Sequence, residues 1–284
     1  MSLALSPAAR EVGCRFGFDV ADGGVTLVLQ VAPSTGWAVE DERFDIALDG
    51  APAAAPVTEV VGAHGTRLHV VSVGPGALTV AYQSRARPVR AEAAPSGTTR
   101  ADAIDREALE SLRQSRYAPS DELLGFAIAE LGAVRGHDDP AAAVASWVFE
   151  RFAYTEGSSG PTDTAIDTIL SGAGVCRDFA HVTIALCRAL EIPARLVSAY
   201  APGLSPMDFH AVVEARVDGR WRVLDPTRLA ARPALVRIAT GRDAADTAFV
   251  TTMHGEAELI ASEVWAVVDG DLPADDHAAP MGLA

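Results

Sequence analysis

The chain has 284 residues, 49% of them hydrophobic and 21% charged, with a formal net charge of −15. That length holds one large domain or two ordinary ones with buried cores. The acidic balance comes with no Lys/Arg run to neutralise phosphates, and no apolar stretch reaches the roughly 18–20 residues that cross a bilayer, so neither nucleic-acid nor membrane partners are expected.

The start, MSLALSPAAREVG, lacks a basic segment followed by an apolar one, so no secretory signal is expected. Three sparse cysteines, Cys14, Cys176 and Cys187, do not make a disulfide framework and point to a reducing compartment, hence a cytoplasmic location. Residues 10–95 read as β. Apolar residues alternate at Val12, Cys14, Phe16 and Phe18, then at Val25, Leu27, Leu29 and Val31. The pattern returns at Phe44, Ile46 and Leu48 and at Leu78, Val80 and Tyr82. Turn signals at Asp22-Gly23-Gly24, Asp49-Gly50 and Gly74-Pro75-Gly76 separate these runs, as in a small sandwich or barrel. The stretch RPVRAEAAPSGTT, residues 87–99, reads as a linker. The domains expected are therefore a β-rich unit over 1–95 and a second unit over 96–284.

Helices follow. Ile104, Ala108, Leu109 and Leu112 have helical spacing. Ser120 or Asp121 can cap a helix with a stripe of Leu124, Ala127, Ile128 and Leu131. Asp139-Pro140 is a cap followed by proline at the first helical position, with Val144, Trp147, Val148 and Phe152 facing inward. Thr164 with Asp167 makes a capping-box variant for a short helix ending at Gly172. Another helix runs from about Arg177 to Leu190 and stops before Pro193. Strands are expected over 194–199, 210–217 and 221–225.

Cys176 follows a Gly-Ala-Gly run and opens a helix. The first N–H groups of a helix lack internal partners and the dipole makes that end positive, so a thiolate there is stabilised and available as a nucleophile at neutral pH. Cys187 lies three turns further on, about 16 Å away at 1.5 Å per residue, and reads as core. A nucleophile needs a base. The segment FHAVVEARVDGRWRVLDPT, residues 209–227, has Asp218-Gly219 between two β-like runs, a hairpin signal. A two-residue loop pairs Val217 with Arg220 and, further back, Val212 with Asp225. His210 and Asp225 then lie on one face as diagonal neighbours, about 7–8 Å apart between backbones and within side-chain reach. This is the base and orienting carboxylate of a Cys-His-Asp triad.

The segment from Trp147 to Thr227 resembles the transglutaminase-like superfamily of papain-like cysteine enzymes. The resemblance rests on RFAYTEGSSG, GAGVCRDFAHVTIALCRALEIPARLVSAY, DFHAVVEARVDGRW and LDPT. Many members have an aromatic residue where this chain has Val212. The resemblance implies an α+β protein, with an N-terminal β-sandwich before a papain-like core whose Cys-bearing helix packs on an antiparallel sheet. It implies Cys176 as nucleophile, His210 as general base and acid, and Asp225 as the carboxylate that orients it. Asp178 and His181 look like support residues near the nucleophile, and Tyr154 is a candidate for lining the site. After the triad, Arg228, Arg242 and Asp243 either frame a carboxylate-binding cleft or stand as solvated loop charges, and the sequence favours the second. Substrate-binding roles are thus assigned to Tyr154, Asp178 and Arg242.

The chemistry implied is acyl transfer at the amide of a peptide or protein through a thioester. With water as acceptor the protein is a cysteine peptidase or amidase. With an amine acceptor it is a transglutaminase-type acyltransferase. Use of the fold as a non-catalytic binding module is the alternative from another class. No cofactor or metal is expected, since no ligand spacing for one is visible.

Overall fold

The computed structural model describes residues 5–89 and 105–284. The first seven strands are β1 (Arg10–Val20), β2 (Val25–Leu29), β3 (Trp37–Leu48), β4 (Ala51–Pro52), β5 (Val57–Val61), β6 (Arg67–Val73) and β7 (Gly76–Pro88). Helices α1 (Arg106–Glu110), α2 (Leu124–Leu131) and α3 (Pro140–Arg151) come next, then β8 (Ala153–Tyr154), α4 (Ala165–Ser171), β9 (Ala173–Gly174) and α5 (Cys176–Ala189). The chain continues through β10 (Ala194–Tyr200), β11 (Phe209–Val217), β12 (Arg220–Leu224) and β13 (Val236–Gly241), and then β14 (Val250–Met253) and β15 (Ala257–Val268). Among the described residues, no helix is long and apolar enough to cross a membrane.

The alternation in β1 does what the sequence predicts: Val12, Cys14, Phe16, Phe18 and Val20 are all buried, and they pack with Leu27, Leu29, Leu78, Val80 and Tyr82 in one core. The sandwich is not closed by the N-terminal strands alone. Its sheets run β15-β1-β7-β3-β4 and β14-β2-β6-β5. β1 is flanked by β7 on one side and β15 on the other, both antiparallel, with a bulge against β15 at Gly17/Phe18. A division at residue 95 therefore cuts both sheets, because strands beyond residue 249 return to complete them. The physical reason is edge protection: without β15 the long strand β1 would present an unpaired row of backbone groups. Of the expected linker, residues 87 and 88 belong to β7, and 90–99 lie outside the described residues, as does Ile104.

The second unit is built on the antiparallel sheet β12-β11-β10-β13. The helix α5 lies on β10 and β11, and from Asp178 to Ala189 every residue is buried. The helices α2, α3 and α4 surround it. Asp139 caps α3 by accepting from Ala142 N at 3.0 Å, and Thr164 and Asp167 form the reciprocal capping box of α4, which ends at Gly172 with φ 72°. At α2 the expectation fails. Ser120 and Asp121 lie in a turn held by Ser120 N–Ala118 O and Glu122 N–Pro119 O, the helix starts at Leu124 without a side-chain cap, and of the expected stripe Ala127 and Leu131 are buried. Leu124 and Ile128 are exposed.

Candidate active site

The short segments before Cys176 hold the start of α5 in place. Residues 153–154 pair in parallel with residues 173–174, so the chain enters the helix from a fixed direction. Gly174 is required by crowding: a Cβ there would lie 2.7 Å from Cβ of Asp178. Val175 has no side-chain acceptor to offer the helix, and Asp178 reaches back instead, accepting from Val175 N at 2.8 Å. Its other oxygen accepts from Arg177 Nη2 at 3.1 Å, and Arg177 in turn donates to Ser159 Oγ at 2.6 Å and Gly160 O at 2.5 Å. Cys176 is left half-buried as the first residue of α5. Cys14 and Cys187 are buried, and burial pushes each of their thiols up to about 12.

The hairpin carries the other two groups. Asp218 and Gly219 have φ of 53° and 73°, both positive as a tight two-residue turn requires, and the register pairs Val217 with Arg220 and Val213 with Leu224. The diagonal follows: His210 Nε2 donates to Asp225 Oδ2 at 3.0 Å, with both side chains fully buried. Asp225 is saturated. Its Oδ2 also accepts from Ala230 N at 3.1 Å, and its Oδ1 accepts from Thr227 N at 2.9 Å and Thr227 Oγ1 at 2.7 Å. Burial alone would raise the carboxyl; the His210 charge and these hydrogen bonds outweigh it and hold the group below the usual carboxylate range. Burial alone would lower the imidazole; the charge and hydrogen bond of Asp225, with a contribution from Cys176, push it well above the usual histidine range. Among the described residues His210 Nδ1 is buried without a hydrogen-bond partner, and Cys176 adds to the upward push on the ring. Cys176 and His210 border the same cavity of about 520 Å³.

The remaining expected residues are placed differently. Tyr154 packs at 6.0 Å from the Phe179 ring and is 42% exposed. Burial and the Cys176 charge raise its phenol to about 12. It is a neighbour of Cys176 but does not line the cavity. Asp178 has no face toward substrate; it is buried and caps the helix, which corrects its assignment to substrate binding. Arg242 lines a separate cavity of about 460 Å³ and is held by Asp246 at 2.8 and 3.1 Å, so it does not belong to the cleft at Cys176. Arg228 donates to Ser146 Oγ at 3.0 Å and lies 4.1 Å over the Phe149 ring, away from the cleft. Asp243 is buried and accepts from Tyr117 N and Ala245 N, both at 2.9 Å. No carboxylate-binding frame forms from these three.

His181 is buried behind the cavity. It accepts from Ala244 N at 3.2 Å, and its ring stacks on Tyr117 at 5.1 Å and 7°. Burial drives it down to about 4, so it is neutral. Cavity walls that sequence reasoning missed are Tyr117, Ser198, Phe209, Ala248 and Phe249. Phe209 adjoins His210 in the chain and could have been found from that; nothing local marks the others.

Residues 130–226 match the model of the transglutaminase-like superfamily. That span contains Cys176, His210 and Asp225. A protein of Mycobacterium leprae that is itself uncharacterized is 30% identical over 155 residues, 49% of this chain, and the match spans about half (53%) of that relative's length. A solved structure from Cytophaga hutchinsonii, provisionally described as a cysteine protease, is similar over 96% of both chains, with TM-score 0.83 and 29% identity.

Proposed function

We propose, on the match of residues 130–226 to the model of the transglutaminase-like superfamily, that this protein carries out thiol-dependent acyl chemistry at amide bonds, as a cysteine peptidase or amidase. The observation that carries the reading is the buried His210–Asp225 hydrogen bond of 3.0 Å on a cavity that His210 shares with Cys176. Asp225 fixes the ring and favours imidazolium; imidazolium beside a thiol at a helix start favours thiolate. The likeness to the Cytophaga hutchinsonii protein supports hydrolysis.

The Cys176 thiolate adds to the amide carbon, and the C–S bond forms as the carbonyl electrons move to oxygen. The Cys176 backbone N–H, at a helix start where such groups lack internal partners, is the candidate donor to that oxyanion. Collapse breaks the C–N bond, with the His210 proton passing to the departing nitrogen. Water then adds to the thioester while His210 takes its proton, and breaking the C–S bond returns the thiolate and a free acid. An amine in place of water gives a new amide.

Intact-mass spectrometry after incubation with pools of peptides and amines tests the reading. The expected result is an acyl adduct on Cys176, absent from Cys176→Ala, with free acid as the released product. Release of the acyl group on an amine would make the protein a transferase. Turnover that survives Cys176→Ala would refute the proposal.

A further inference from the structure

The acyl group bound to Cys176 has to occupy the cavity that the thiol shares with His210, and the walls of that cavity carry a side-chain preference. Its floor lies on the side of β10 and β11 that faces α5, where Leu196, Ala211 and Val213 join the core beneath that helix. Ser198 and Ala211 stand opposite each other in register on this side. Both are small, and two small residues face to face leave a hollow that a pair of large ones would fill. One wall is aromatic: the Phe209 and Phe249 rings lie 5.1 Å apart at 18°. The sandwich backs them with the buried Phe16 ring, 6.1 Å from Phe209 and 5.6 Å from Phe249. The wall is thus rigid from behind, while Phe249 keeps 37% of its surface exposed.

One polar atom on the floor is unexplained. Among the described residues, Ser198 Oγ is closed off from water and has no hydrogen-bond partner. A buried hydroxyl without a partner is costly, and a ligand atom would relieve it. Of the charged residues on the cavity, Arg177 is tied to Ser159, Gly160 and Asp178, while the exposed Asp208 accepts from Phe209 N at 2.7 Å through one oxygen. Beside that carboxylate the hollow offers an aromatic wall and one hydroxyl without a partner.

We propose that the acyl residue is an aromatic one with a polar tip, tyrosine or tryptophan. Its ring lies against Phe209 and Phe249, and its hydroxyl or indole N–H meets Ser198 Oγ once rotation about the serine Cα–Cβ bond turns that hydroxyl into the hollow. Aromatic rings pack favourably in offset or edge-to-face arrangements, and a site built around a hydrogen bond discriminates strongly against the analogue that lacks it. The proposal rests on the reading of Cys176 as the acyl-accepting thiol.

Acetyl-Xaa chloromethyl ketones place a chosen side chain on the acyl side. The thiolate displaces chloride, forming a C–S bond that intact-mass spectrometry reads. Xaa is Tyr, Trp, Phe, Ala or Gln, and each Cys176 labelling rate is divided by the same protein's rate with iodoacetamide, which has no side chain to seat. Tyr and Trp are expected at least tenfold faster than Ala and Gln, with Phe in between. Ser198→Ala should bring Tyr down to the Phe rate, and Ala248→Leu, which narrows the hollow, should slow all three aromatics at least tenfold. Ala or Gln keeping pace with the aromatics would overturn the proposal. So would a Tyr-to-Phe ratio that is unity in the wild type or unchanged in Ser198→Ala. Iodoacetamide labelling Cys176 no faster than the buried Cys14 and Cys187 would remove the triad reading itself, a separate and visible outcome.

Discussion

Replacing Asp225 by Asn keeps the shape of the side chain and removes the charge that holds His210 protonated. Turnover should fall on the order of 10²- to 10⁴-fold in Asp225→Asn, the loss expected when a triad carboxylate is neutralised, measured on whichever peptide acylates Cys176. The pair also makes stability depend on pH. His210 has its folded pKa raised above 6.5, so its contribution is full below pH 6.5 and is lost as pH rises through the raised value. Asp225 has its folded pKa lowered below 3.8, so its contribution is full above that pH and is lost as pH falls through the lowered value. The Tm gap between wild type and His210→Ala should therefore be widest between pH 4 and 6.5 and should shrink toward pH 9; a gap that widens with alkali would contradict the ion pair. At this scale the sequence was informative where a residue's partner is set by local register, as for His210 and Asp225. It was misleading for Arg242, whose nearest acid is Asp246, four residues on, and for Asp178, whose neighbour Val175 has no cap of its own. A charged residue beside a catalytic motif satisfies the backbone or the nearest countercharge before it serves a ligand.

The start of α5 is the element on which the site depends, and its supports can be removed one at a time. Asp178→Ala strips the acceptor from Val175 N and leaves Arg177 without its buried partner; the expected cost is about 1–3 kcal/mol by urea denaturation. Gly174→Ala forces a Cβ against Asp178 and should cost about 1–3 kcal/mol through overpacking. Unchanged urea midpoints in both would mean that the turn is not what seats Cys176. Elements with strong end signals were legible: Asp139-Pro140, the Thr164–Asp167 box and Gly172 bound α3 and α4 as read from the sequence. The helix α2 was misread because Ser120 and Asp121, good caps in the abstract, are taken up in a preceding turn. Which face of α2 is buried depends on α5, a neighbour the local pattern does not reveal.

At the scale of the whole molecule, distant segments complete what nearby ones begin. The strands β14 and β15 close a sandwich started more than 200 residues earlier, and Phe249, just before β14, forms part of the wall beside Cys176. β15, with Val264, Ala266 and Val268 buried, is not among the strands expected from the sequence, and its pairing with β1 is a long-range choice. The same holds for Asp275, which pairs with the buried Arg232 at 2.8 Å. Asp275→Ala leaves that buried guanidinium with only the more distant Asp276, at 3.8 Å, as countercharge and should cost about 3–5 kcal/mol, measured as a lowered urea midpoint. The proposed triad is itself a whole-molecule property, since Cys176 comes from a helix while His210 and Asp225 come from a hairpin. Its most direct measurement is the rate of iodoacetamide alkylation at each cysteine at pH 6, read by peptide mass spectrometry. The account requires Cys176 to react far faster than Cys14 and Cys187, and His210→Ala to abolish that advantage. Slow labelling at all three sites, or fast labelling of Cys176 that His210→Ala leaves untouched, would contradict it.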